Sequence, residues 1–72
     1  MKIRIPIVVG THETKHGADS YVGVIKKNET EKDVIEALQA YCDYDEDNPG
    51  YNEYFDSYTD VIIIDMDDVE VM

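Results

Sequence analysis

Tryptophan is absent from this chain of 72 residues, and cysteine occurs only once. The lone Cys42 excludes an intramolecular disulfide and fits a reducing compartment. No apolar run approaches the roughly 20 residues that span a bilayer as a helix. Residues 1–9 alternate in polarity and lack a small-residue cleavage site, so neither a membrane span nor a signal peptide is expected. The expected location is cytoplasmic, where Asn28, Glu29 and Thr30 have no meaning as a glycosylation site. The largest deficit is of positive charge. No lysine or arginine follows Lys32, so residues 33–72 hold 13 acids and no bases, whereas residues 1–32 hold 4 acids and 6 bases.

A net charge of -11 repels nucleic acid and anionic membrane and draws in basic surfaces from a distance. Direct nucleic-acid and membrane binding are therefore not expected. Acidity of this degree often accompanies disorder, but 43% of the residues are hydrophobic and they fall in periodic segments, which predicts a folded chain. The length allows one domain, with a core near the lower limit of sufficiency, so a partner, a second copy or a metal is the expected source of further stability.

Ile3, Ile5, Ile7 and Val9 recur every second residue, the period of a half-buried strand over 2–9. Pro6 cannot donate to a ladder, which predicts an edge strand or a bulge. Residues 10–20 are polar and aperiodic and read as a loop. Tyr21 to Ile25 reads as a second strand. Thr30 followed by Asp33 resembles a capping box. Behind it Val34, Ile35, Leu38, Tyr41 and Cys42 recur at helical spacing, predicting a helix over about 31–42. Asn48 and Pro49 form a second helix-start signal, and Tyr51, Tyr54 and Tyr58 then share one side of a short helix over 49–58. The β-branched run 61–64 predicts a strand covered on both faces and placed centrally, continuing through Met66 toward Val69 and Val71. The expected fold is a two-layer α+β domain of order β-β-α-α-β: three strands, one main helix on one face and a short second helix. One helix covers one face, so Val8, Ile25 and part of the isoleucine run need cover from a homodimer or a partner's apolar rim.

Four constellations could carry chemistry. Asp43, Asp45 and Asp47 fall at positions one, three and five of a calcium loop, but the glycine and the final glutamate of such a loop are replaced by Asn48 and Tyr54, which favours a solvated acidic turn. Asp65, Asp67, Asp68 and Glu70 follow a buried strand as metal-binding carboxylates do, yet no phosphate-cradling glycine loop or steadying base accompanies them. Charged protection of a strand end is the simpler reading. His12 and His16 lack a zinc motif and read as solvent-facing loop residues. Cys42, in phase with Leu38, reads as a small core residue with no base to activate it. No cofactor, metal site or catalytic group is predicted.

A further pattern is aromatic. The chain has 6 tyrosines, of which Tyr21 and Tyr41 are expected in the packing. The rest interleave with acids. A surface of carboxylates with flat rings resembles in its chemistry a phosphate backbone with bases beside it, and tyrosine is enriched at binding surfaces. The predicted partner-binding set is Asp43, Tyr44, Asp45, Glu46, Asp47, Tyr51, Glu53, Tyr54 and Asp56. Its expected target is the basic groove of a nucleic-acid-binding protein. In size and composition the chain is similar in kind to small phage-encoded inhibitors of defence and DNA-repair enzymes. The crowding of like charges also predicts carboxyl pKa values above the ordinary range.

Overall fold

The computed structural model describes residues 1–65 and 67. Three strands and one helix follow in the order β1 (Lys2–Thr14), β2 (Gly17–Val24), α1 (Glu31–Tyr41) and β3 (Tyr54–Asp65). All strands are antiparallel and the sheet order is β2-β1-β3. The domain is therefore a small α+β unit of two layers, as its sequence pattern predicts.

β1 is the central strand, and it runs past Gly10 rather than stopping there. Residues 10–20 form a β-hairpin, not a loop: Thr14 pairs with Gly17 across Lys15 and His16, and Gly17 takes φ 135°, open to glycine alone. The Thr14 hydroxyl accepts the His16 amide at 3.1 Å inside the turn. Pro6 survives in a central strand because of where β2 ends. Its carbonyl accepts the Ile25 amide at 3.0 Å, and a residue's N–H and C=O point to the same side of an extended strand. The missing N–H thus falls at the last rung beside β2, where one bond of the pair is forfeited.

Residues 2–5 of β1 pair only with β3, from Lys2 opposite Asp65 to Ile5 opposite Ile62. This end is a two-stranded ribbon that extends beyond β2. The isoleucine run lies in that ribbon on an edge strand, contrary to the central, doubly covered position its composition predicts; Val61, Ile62 and Ile63 are all exposed. An apolar run on both faces marks burial only where both faces have a neighbour. The predicted continuation through Met66 to Val71 lies outside the described residues.

The helix has the ends its sequence predicts. The Thr30 hydroxyl accepts the Asp33 amide at 3.2 Å, and the Asp33 carboxylate accepts the Thr30 amide at 2.8 Å. The Thr30 backbone amide foremost, and after it the Thr30 side chain, hold the Asp33 carboxyl below the usual range. At the other end the Tyr44 amide reaches Gln39 O at 2.8 Å and the Asp43 amide reaches Ala40 O at 3.3 Å. This is a Schellman closure with Asp43 in the left-handed position, φ 59°. Val34 and Leu38 face the sheet and form the core with Val8, flanked by Tyr21, Ile25, Ile35 and Phe55. Val8 is fully buried beneath α1 and Ile25 packs against this cluster, so neither needs the external cover expected for it.

The second helix over 49–58 does not form. Residues 54–58 belong to β3, where Tyr54 to Tyr58 pair with Val9 to Glu13. The long β1 offers a complete hydrogen-bonding partner to this segment. That ladder outweighs the local Asn48-Pro49 signal, because helix propensity yields to tertiary context.

Candidate functional site

Strand alternation and register divide the sheet into two faces. On β1 the even positions Val8, Gly10 and His12 lie under α1; on β3 the register places Phe55, Ser57 and Thr59 beside them. Tyr54, Asp56, Tyr58 and Asp60 are consequently on the opposite face, one after another. The structure brings together on this strand two predicted residues, Tyr54 and Asp56, and two that were not in the predicted set, Tyr58 and Asp60. Period-two alternation of rings and acids over 54–60 was the signal for them. Tyr54 is 63% exposed and Tyr58 59%.

The two acids of the stripe are also hydrogen-bond acceptors for the strand's outer edge. Asp56 accepts the Ser57 amide at 2.9 Å and Asp60 the Val61 amide at 2.8 Å. Even residues of β3 bond to β1, so these odd-numbered amides face outward. Each carboxylate occupies a donor that an incoming strand would use, one means by which edges are protected.

The other predicted residues separate into displayed and inward-turned groups. Asp45, Glu46, Asp47 and Tyr51 are exposed in the segment between α1 and β3, Tyr51 at 88%. Asp45 organises a turn there, accepting the Asp47 amide through its carboxylate at 3.0 Å and the Asn48 amide through its carbonyl at 3.2 Å. Asp43 is exposed at the helix end. Tyr44 turns inward: its ring stacks on Phe55 at 5.6 Å and meets His12 edge-on at 5.7 Å. Glu53 is also committed internally, binding His12 Nε2 through one oxygen and accepting the Gly50 amide at 2.8 Å through the other.

His12 is thus not the solvent-facing loop residue its context predicts. It lies on β1, its side chain 11% exposed, and with Glu53 it ties the acidic segment to the sheet. The His12 hydrogen bond, followed by the Gly50 amide, holds the Glu53 carboxyl below its usual range. Where carboxyl pKa values move, at Asp33 and Glu53, they move down rather than up. Each of these two acids has its own donors, and direct hydrogen bonds outweigh diffuse repulsion screened by solvent. His16 is exposed in the hairpin turn.

Tyr41, expected in the packing, is 76% exposed and touches Tyr21 edge-on at 5.5 Å. Burial, and after it the Asp19 carboxylate, raises the Tyr21 hydroxyl pKa. Cys42 is half-buried at the helix end, its Sγ 3.5 Å from Gln39 O. Among the described residues no group of three or more His, Cys, Asp or Glu side chains is arranged to hold a metal ion. No described helix is long and apolar enough to cross a membrane. Asp68 and Glu70 lie outside the described residues.

No protein-family model, curated protein or solved structure matches this chain.

Proposed function

We propose that this chain is an acidic protein-interaction module that enters the basic nucleic-acid-binding groove of a partner protein and inhibits it by mimicry, without catalysis of its own. The observation that carries the reading is the alternation of Tyr54, Asp56, Tyr58 and Asp60 along one exposed strand face. An extended strand rises by about 3.4 Å per residue, the same as the rise per phosphate on one strand of duplex DNA. Asp56 and Asp60, four residues apart, therefore stand about 14 Å apart, some four phosphate levels along a groove. Tyr54 and Tyr58 offer faces on which arginines stack, and the carboxylates accept their forked donors. Asp45, Glu46, Asp47 and Tyr51 extend the acidic surface beyond the start of β3. The net charge of -11 steers encounter with a basic partner.

The test is affinity capture of host proteins at low and high salt, followed by displacement of the captured protein with duplex DNA or RNA. Binding should fall steeply with salt and yield to nucleic acid. Reversing Asp56 and Asp60 to lysine should weaken capture more than reversing Glu31 and Glu36, which stand exposed on α1. A captured partner that is indifferent to both salt and nucleic acid overturns the proposal.

A further inference from the structure

The sheet face opposite α1 changes character along its length. Near the hairpin it is polar, with Glu13, Thr11, Ser20, Tyr54 and Asp56; toward the ribbon it becomes apolar across all three strands. Ile3, Val22, Val24, Tyr58 and Ile62 are 39–59% exposed on it. The register sets them in contiguous rows, with Ile5 opposite Ile62, Ile7 opposite Val24 and Val9 between Val22 and Tyr58. Monomers seldom expose so continuous a patch. No lysine or arginine stands on this face, because Lys2 and Arg4 alternate to the other side of β1. Among the described residues Asp60 is the one acid within the apolar region, and its carboxylate accepts the Val61 amide at 2.8 Å.

We infer that this face is the interface of a homodimer, two copies packing sheet on sheet about a two-fold axis near Ile5 and Ile62. The exposed side chains and their half-buried neighbours offer on the order of 600 Å² per copy, so two copies bury about 1,200 Å², the lower bound of a standard specific interface. Sheets pack face to face about 10 Å apart, a spacing that valine and isoleucine rows fill. An axis at the apolar end carries the two acidic ends away from each other. It covers Tyr58, so the dimer meets a basic partner through Tyr54, Asp56 and the acidic segment from Asp45 to Tyr51, and the full stripe is displayed by the monomer. A second copy fits better than a basic protein here, since among Ile3, Val22, Val24 and Ile62 the face carries the single carboxylate of Asp60, itself engaged by the Val61 amide. The dimer also gives both strands of the ribbon a covered face, and isolated two-stranded ribbons are marginal in water.

Sedimentation velocity across a concentration series, at roughly 0.05 and 0.5 M salt, tests this. Two copies of charge -11 repel, so dimerisation should strengthen as salt rises, the reverse of the dependence expected for groove mimicry. Val24→Lys and Ile62→Lys should each raise the dimer dissociation constant at least about tenfold. Ala37→Lys, on the exposed side of α1 and with the same charge change, should not weaken the dimer. Circular dichroism confirms that the variants are folded; amide shifts of Val22 and Tyr58 on dilution report the interface if either variant is not. A monomer at every concentration and salt overturns the inference, as does a dimer that survives both face substitutions or shows no shift at Val22 and Tyr58. Either failure leaves the mimicry reading standing, because the acid and tyrosine stripe does not depend on the second copy.

Discussion

His12 on β1 and Glu53 before β3 are 41 residues apart and pair side chain to side chain, Nε2 to Oε1, at the hairpin end of the sheet. The second Glu53 oxygen takes the Gly50 amide at 2.8 Å, so one carboxylate fastens the acidic segment to both the central strand and itself. Because these donors depress its pKa, the unfolded chain takes up the proton first as pH falls. The stability it contributes is therefore complete above the ordinary glutamate range, about pH 4.3, and lost as pH drops through the lower folded value. Thermal melts of wild type and Glu53→Gln should differ clearly at pH 7, and the difference should close below about pH 4. A gap that stays constant across that range would mean the carboxylate's charge is not what holds the segment.

Two glycines set how closely the helix can lie. A Cβ on Gly10 would stand 2.7 Å from Phe55 Cζ and 3.3 Å from Leu38 Cδ1, and one on Gly23 would stand 2.6 Å from Val34 Cγ1. Alanine would relieve the entropic cost of glycine in a strand, about 0.5–1 kcal/mol. Overpacking costs about 1–3 kcal/mol, and the neighbours here are a rigid ring and a buried β-branched residue. Overpacking wins. Gly10→Ala and Gly23→Ala should each lower stability by about 0.5–2 kcal/mol in urea denaturation, the difference between these two ranges.

Asp43 is a non-glycine residue at φ 59° closing α1. Left-handed backbone costs an L-residue about 1–2 kcal/mol, less for Asp than for most, and an acid at a helix C-terminus adds about 0.3–1 kcal/mol. Asp43→Gly removes both penalties and gains chain entropy in the unfolded state, which takes back part of the benefit. The net expectation is stabilisation by about 1 kcal/mol, read as a raised denaturation midpoint. Asp45→Gly should bring no such gain, since Asp45 has no positive φ and its carboxylate organises the following turn.

What was legible in the sequence was mostly local. Thr30 and Asp33 announce the helix start because both partners of the cap lie within four residues, and the alternation of Ile3 to Val9 announces a strand without reference to its neighbours. The hairpin at Lys15 and His16 was hidden because Thr11 to Ser20 is polar on both faces, so no hydrophobic period marks it. Tyr51, Tyr54 and Tyr58 fit helical spacing, while Tyr54, Asp56, Tyr58 and Asp60 fit strand spacing equally well. The choice was made by β1, some 40 residues earlier in the chain. Sheet order was illegible for the same reason: the isoleucine run reads as central whether its faces are covered or, as here, exposed. The displayed half of the candidate site was recoverable from Tyr54 and Asp56. The inward turn of Tyr44 and Glu53 follows from His12 and Phe55, whose approach no local pattern records.

The outer edge of β3 sets the last expectation. Asp56 and Asp60 occupy the outward amides of Ser57 and Val61, and they place negative charge on an edge flanked by Val61 and Ile63, both exposed. Removing both carboxylates, as Asp56→Ala with Asp60→Ala, frees two donors and leaves a β-branched edge with no charge between Phe55 and Ile64. Such an edge is a template for strand addition. The double variant should form thioflavin-positive aggregates at concentrations where wild type stays clear. Asp45→Ala with Asp47→Ala changes the net charge equally but lies off the edge, and it should not. Equal aggregation of the two variants would assign the protection to net charge alone. Resistance of the edge variant would show that the four-residue spacing of Asp56 and Asp60 is not what guards this strand.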